Sequence, residues 1–302
     1  MSGAHECIRA LGHLKYFDTK GDVDAAKLAG AFVLFFSYEC LSWNQAGPNP
    51  DQLAAMKSAV WEVAERHDKK LSDMYIWIDC LSIPQRNRAV KAAAINSIYT
   101  LAGLPDALVV VCPDSVHSST QAPADAETIK HRLWCRVEQF AYCCNKGTRF
   151  MYLHRGKGLE TLPEDWMESV CCVYEAESTC CRVKHAKMHT CDREILVLPL
   201  LALYHDVVTR VTRRACLTQD IYAFDLIHRN RERIFPRSFM YQTTENEVGE
   251  PRELFGDMLD LIESMGQRRK SRRDPSVVSG GDAMKQDASI TSFDTELMKD
   301  IV

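Results

Sequence analysis

The chain has 302 residues, 46% hydrophobic and 26% charged, with a formal net charge of −4. That length supports one large or two ordinary domains with a substantial core. The near-balanced charge excludes a general pull toward nucleic acid or an anionic membrane. The N-terminus carries no signal-peptide pattern, no apolar run reaches membrane-spanning length, and the thirteen cysteines are odd in number. A cytoplasmic protein with reduced thiols, several serving as small buried hydrophobes, is the expectation.

Residues 1–28 are weakly patterned and read as an N-terminal helix and connector. Phe32-Val33-Leu34-Phe35-Phe36-Ser37 is then a continuous apolar run, as in a strand covered on both faces. A loop with Gly47, Pro48 and Pro50 follows. Asp51 is the expected N-cap of a helix whose apolar positions Leu53, Met56, Val60, Val63 and His67 recur every three or four residues. Tyr75–Cys80 reads as a second strand, 88–102 as a helix, 107–112 as a third strand, and 113–126 as a loop. The next helix runs from about His131 to Cys144 and stops at Asn145-Lys146-Gly147. Residues 149–154 are a fourth strand.

Strands alternating with helices imply right-handed crossovers and a mainly parallel, doubly wound sheet over residues 29–156. Ligands bind such sheets outside the carboxyl ends of the strands, here at 37–43, 79–85 and 112–119. This places a cleft there. Helical patterns at 164–174, 192–211 (with Pro199 as a kink), 218–233 and 252–265 make 157–266 an α-rich extension, packed on the sheet or forming a second lobe. From Gln267 the chain is polar and reads as a disordered tail. Its basic run, Arg268-Arg269-Lys270-Ser271-Arg272-Arg273, is either a localisation or phosphoregulated element or a solvated linker.

The helix His131-Arg132-Leu133-Trp134-Cys135-Arg136-Val137-Glu138-Gln139-Phe140 carries the main functional signal. At about 100° per residue, Leu133, Trp134, Val137, Phe140, Ala141 and Cys144 share an apolar face, and Glu138 falls at its rim. Trp134 lies one turn away. A half-desolvated carboxyl there has a raised pKa unless a cation or hydrogen bonds compensate. The plain alternative is a solvated glutamate paired with Arg132 or His131.

Taken in order, the motifs form a series: Phe35-Phe36-Ser37-Tyr38 with Trp43; Trp77-Ile78-Asp79-Cys80-Leu81-Ser82-Ile83-Pro84-Gln85; Ile98-Tyr99; and Arg132-Leu133-Trp134 with Glu138. The series resembles the heterokaryon-incompatibility (HET) domains of fungi, themselves similar to Toll/interleukin-receptor (TIR) domains. Trp134, Cys135 and Glu138 match the Trp-Cys-x-x-Glu signature of plant TIR domains. The resemblance covers about residues 32–144. Trp43 stands two positions later than the usual HET spacing, Ser82 occupies a common Cys position, and the 44–50 loop is longer.

The resemblance implies a flavodoxin-like fold that, in enzymatic relatives, self-assembles and cleaves the nicotinamide–ribosyl bond of NAD, with Glu138 as the catalytic carboxylate. NAD is then the substrate and no cofactor is required. The alternative is a non-enzymatic, self-associating adaptor of the same fold; a further one is other nucleotide or nucleoside chemistry in the same cleft. Asp79 either orients the site or caps the following turn through Ser82. Tyr38 and Trp43 either stack on the substrate or pack as a lid, and Ser37, Trp134 and Cys135 complete the expected substrate-binding set. No Gly-rich fingerprint follows the first strand, which excludes the pyrophosphate-on-helix mode.

Cys180, Cys181, His185 and Cys191, with His189 between, form a second constellation. Thiolates and imidazoles this dense can bind zinc. Against zinc, no Cys-x2-Cys pair is present and adjacent cysteines fit one tetrahedral site poorly unless one is discarded, in which case Cys171-Cys172 could supply the missing ligand. Reduced structural thiols are the alternative.

Overall fold

The computed structural model describes residues 4–84, 86–182, 185, 190–212, 216–242 and 249–264. The expected tail, the basic run, Gln85 and His189 lie outside them. The chain opens with two short helices, α1 (Ala4–Ala10) and α2 (Lys20–Leu28). The alternating part follows as β1 (Phe32–Tyr38), α3 (Pro50–Arg66), β2 (Met74–Trp77), α4 (Asp79–Ser82), α5 (Arg88–Asn96), α6 (Ile98–Leu101) and β3 (Ala107–Val111). Two-residue strands β4 (Ser115–Val116) and β5 (Pro123–Ala124) lead to α7 (Leu133–Lys146), β6 (Met151–His154) and β7 (Leu159–Thr161). Next come α8 (Trp166–Val170), α9 (Thr179–Arg182), α10 (Asp192–Ile195), α11 (Val197–Val211), α12 (Thr218–Arg229) and α13 (Arg231–Ile234). The hairpin β8 (Ser238–Tyr241) and β9 (Glu250–Glu253) precedes a last helical stretch at 258–264.

The central sheet has the order β2-β1-β3-β6-β7; the first four strands are parallel and β7 is antiparallel. The fold is therefore mixed α/β with a mostly parallel sheet. Period-two alternation divides the core. Leu34, Phe36, Val109, Val111 and Tyr152 pack with Ala55, Met56, Ala59 and Val63 of α3 on one face. Phe35, Leu108, Val110, Met151 and Leu153 pack with Val137, Phe140, Ala141 and Cys144 of α7 on the other. Helices cover both faces, which is why these strands read as unbroken apolar runs.

The second of these cores continues through Trp166, Leu200, Leu203, Val207, Leu226 and Phe255. The described helices of this extension thus lie against the sheet domain, with α11 and α12 over the outer side of α7. This layer changes α7. Every residue from Leu133 to Cys144 except Trp134 is buried, so the helix is no amphipathic surface helix and Glu138 is no rim residue. The sequence pattern marks the sheet-facing stripe; the later helices bury the polar side.

Several boundaries differ from expectation. The cap of α3 is Asn49: its side chain accepts the Gln52 N–H at 2.9 Å while Gln52 accepts the Asn49 N–H at 3.0 Å. Pro50 then takes the first helical position, where a missing N–H costs nothing. Asp51 instead accepts the Ser115 hydroxyl at 2.9 Å. The 88–102 helix breaks at Ser97, which ends α5 and starts α6. Pro199 kinks nothing, because the break falls at Leu196 and the proline sits in the first turn of α11. The 164–174 segment shortens to α8 and a 3-10 turn at Val173–Glu175. Residues 250–253 pair with β8 rather than starting a helix. No helix of the described residues is long and apolar enough to cross a membrane.

Candidate functional site

β1 lies between β2 and β3, and the chain order reverses between β1 and β3. That switch point is where a doubly wound sheet ordinarily opens a crevice. Here the segment after β3 fills it. The Ser118 N–H donates to the Leu41 carbonyl at 2.8 Å, β4 pairs with β5, and Ile129 is buried. The gap among Glu39, Leu41, Gln52, Val111 and Ile129 shrinks to about 10 Å³, room for about one water. Between these two strands the described residues therefore pack closely around this gap.

The polar residues gather on the other side of β1, toward β2. Phe35 faces α7, so Ser37, two residues on, faces α7 as well, while Tyr38 points to the opposite face. Pairing of Phe35 with Trp77 brings Asp79, at the start of α4, beside the end of β1. Helix α7 begins where the Leu133 N–H donates to the Glu177 carbonyl at 3.0 Å. It ends at Gly147, whose φ of +71° suits glycine. Its second turn carries Glu138 to Ser37.

The Ser37 hydroxyl donates to Glu138 Oε2 at 2.7 Å. Gln139 Nε2 approaches Ser37 Oγ at 3.5 Å, and the Trp166 indole N–H donates to Gln139 Oε1 at 2.7 Å. The Tyr38 hydroxyl donates to Asp79 Oδ1 at 3.0 Å, and the Cys135 thiol donates to the Tyr38 carbonyl at 3.3 Å. Glu138 is 8% exposed. Its burial pushes the carboxyl well above the usual range, and the Asp79 charge adds to this against the smaller opposing effect of Ser37. Burial raises Asp79 too, partly offset by the Tyr38 hydroxyl. Burial, then Asp79, raises the Tyr38 phenol, and burial pushes the Cys135 thiol far up. The result is a buried carboxyl at Glu138 and a half-buried one at Asp79, both inclined to hold protons.

The structure thus brings Ser37, Tyr38, Asp79, Cys135 and Glu138 together. Trp43 and Trp134 engage elsewhere. Trp43 is 53% exposed and meets His117 edge-on at 5.9 Å. The Trp134 indole N–H donates to Asp192 Oδ2 at 3.2 Å. Asp79 accepts the Tyr38 hydroxyl and also a backbone hydrogen bond from Cys80 in the turn that follows it, and Ser82 Oγ accepts the Ile78 N–H at 3.2 Å. Gln139 and Trp166 were not anticipated. Gln139 adjoins Glu138 in the motif and could have been suspected; nothing in the sequence ties Trp166 to it.

The second constellation also assembles. Cys180, Cys181, His185 and Cys191 bring one ligand atom each to within 4.8 Å of all the others. The objection to adjacent cysteines does not hold, because the short turn α9 sets the Cys180 and Cys181 sulfurs 4.0 Å apart on one side. Cys171 and Cys172 are not members: they contact each other at 3.7 Å, and Cys172 turns to Asn230.

Comparison with protein-family profiles, curated proteins and solved structures yields no match.

Proposed function

We propose that the chain is a TIR/HET-like signalling protein of flavodoxin-like fold that self-assembles and hydrolyses the nicotinamide–ribosyl bond of NAD, with Glu138 as its catalytic carboxylate. The observation that carries this reading is the Ser37–Glu138–Asp79 cluster. Its three members come from three separate motifs of the resemblance and meet at the carboxyl ends of β1 and β2. The strand order β2-β1-β3-β6-β7 supports the fold half of the proposal.

The chemistry follows from the buried carboxyl. Before substrate arrives, Glu138 holds its proton because an ion there is poorly solvated. The nicotinamide ring of NAD is cationic, and its approach favours the ionised form, the Glu138 proton passing to solvent. The ring leaves as neutral nicotinamide, so the positive charge passes to the ribose carbon as an oxocarbenium ion. A carboxylate already in place stabilises that charge. Water then attacks the ribose carbon and loses a proton, giving ADP-ribose. Ser37, held by Gln139, keeps the carboxyl oriented.

A second reading has its own observation. Leu53 and Trp61 of α3 are 42% and 65% exposed, apolar surface suited to an adaptor that signals by self-association alone. Nicotinamide release from NAD by the purified, assembled chain, compared between wild type and Glu138→Ala, separates the two. The enzymatic reading expects turnover in wild type only. No turnover in assembled wild type, with self-association intact in Glu138→Ala, decides for the adaptor.

A further inference from the structure

We propose that Cys180, Cys181, His185 and Cys191 hold a structural zinc ion that fastens α9, α10 and the β8–β9 hairpin to one another. Zinc binds thiolate sulfur at about 2.3 Å and imidazole nitrogen at about 2.0–2.1 Å in a tetrahedron. Those bond lengths require sulfur–sulfur edges of about 3.8 Å and sulfur–nitrogen edges of about 3.5 Å. The observed sulfur separations are 3.5 Å (Cys181 to Cys191), 3.7 Å (Cys180 to Cys191) and 4.0 Å (Cys180 to Cys181). Cys181 Sγ lies 3.6 Å from His185 Nε2. Three thiolates and one imidazole filling four positions describe a closed structural site, with none left for water or substrate. The soft donor set favours zinc over magnesium or calcium.

The surroundings support the ligands as metal sites require. His185 Nδ1 lies 2.8 Å from the Gln242 carbonyl, which fixes the proton there and leaves Nε2 free to coordinate. The imidazole stacks on Tyr241 at 4.2 Å, and the Arg252 guanidinium covers the same tyrosine at 3.4 Å. Arg252 then pairs with Glu194 at 3.0 Å, and Glu194 accepts the Cys191 N–H at 2.9 Å. The Asp192 N–H donates to Cys180 Sγ at 3.3 Å. His185 has a φ of +55°, a conformation costly for a histidine unless its side chain is held. A disulfide between Cys181 and Cys191 would use two of the donors and leave Cys180 and His185 converging on nothing.

Loading exchanges the thiol protons to solvent for the metal. The test is elemental analysis of the full chain purified under reducing conditions without chelator. The expected result is one zinc per chain in wild type and in Cys40→Ser, retained in His185→Cys and lost in Cys191→Ser. Replacement by cobalt in wild type should give thiolate-to-cobalt charge-transfer and tetrahedral ligand-field bands, so the answer survives a variant that fails to fold. Wild type free of zinc and silent with cobalt, a Cys181–Cys191 disulfide found by mass mapping, or full zinc retention in Cys191→Ser would overturn the proposal.

Discussion

Two polar clusters connect to α7 one helical turn apart, one through Glu138 and the other through Trp134, and they are built on opposite principles. At Glu138, carboxyls meet hydroxyls contributed by residues 101 (Ser37 to Glu138) and 41 (Tyr38 to Asp79) positions away in sequence, and each contact is an ordinary hydrogen bond. At Trp134, the indole reaches Asp192, whose own backbone supports the Cys180 sulfur of a cluster drawn from twelve consecutive positions. The first cluster is held by the fold. The second, once a metal is bound, holds the fold. Removing one member should therefore be local in the first case and regional in the second.

The largest expected effect is at the thiol cluster. Cys191→Ser should destabilise the chain by several kcal/mol, the range in which loss of a structural metal falls. Hydrogen exchange should rise across 176–195 and 238–253 together, while β1 and β3 stay protected. A rise confined to residue 191 and its neighbours would show that the cluster fastens nothing.

Ser37→Ala comes next. It leaves Glu138 buried without its donor, at a cost of about 1–3 kcal/mol, measurable by denaturant unfolding. The pH dependence sharpens the same point. A carboxyl with a raised folded-state pKa keeps a proton that the unfolded chain has lost. The folded state then binds more protons, and stability falls as pH rises from the ordinary glutamate range of about 4.3 toward the higher folded pKa. Glu138→Gln removes this contribution, so its stability relative to wild type should grow over that window. A constant difference across pH would mean that Glu138 is ionised in the folded chain.

Trp134→Phe should have the smallest effect, about 1 kcal/mol for one hydrogen bond. It should leave the Glu138 cluster unchanged while loosening α10 in hydrogen exchange.

Much of the fold was legible because strands covered on both faces leave apolar runs, and 32–37, 107–112 and 149–154 became β1, β3 and β6 with small shifts. What was hidden depends on distant packing. Spacing alone put Glu138 at a rim, since the helical pattern cannot reveal that α11 and α12 cover the other side of α7. The filling of the switch point was also invisible, because residues 113–131 carry no pattern that shows how they fold back on Leu41. For the candidate site, Ser37 was readable as a polar residue ending an apolar run, but its hydrogen bond to Glu138 was not, because the two are 101 positions apart and only the packing of α7 on β1 joins them. Against the thiol–imidazole cluster as a zinc site, spacing was the main argument. Spacing rules assume familiar turns, and α9 with the positive φ of His185 makes a different one.

The proposed role of Glu138 is that of a catalytic carboxylate and not merely a buried one. Nicotinamide release from NAD by assembled wild type and by Glu138→Gln, which preserves shape and hydrogen bonding, tests it most directly. The account predicts steady release by wild type and a loss of at least about a hundredfold in the variant. Equal release by both, or none from assembled wild type, would contradict it.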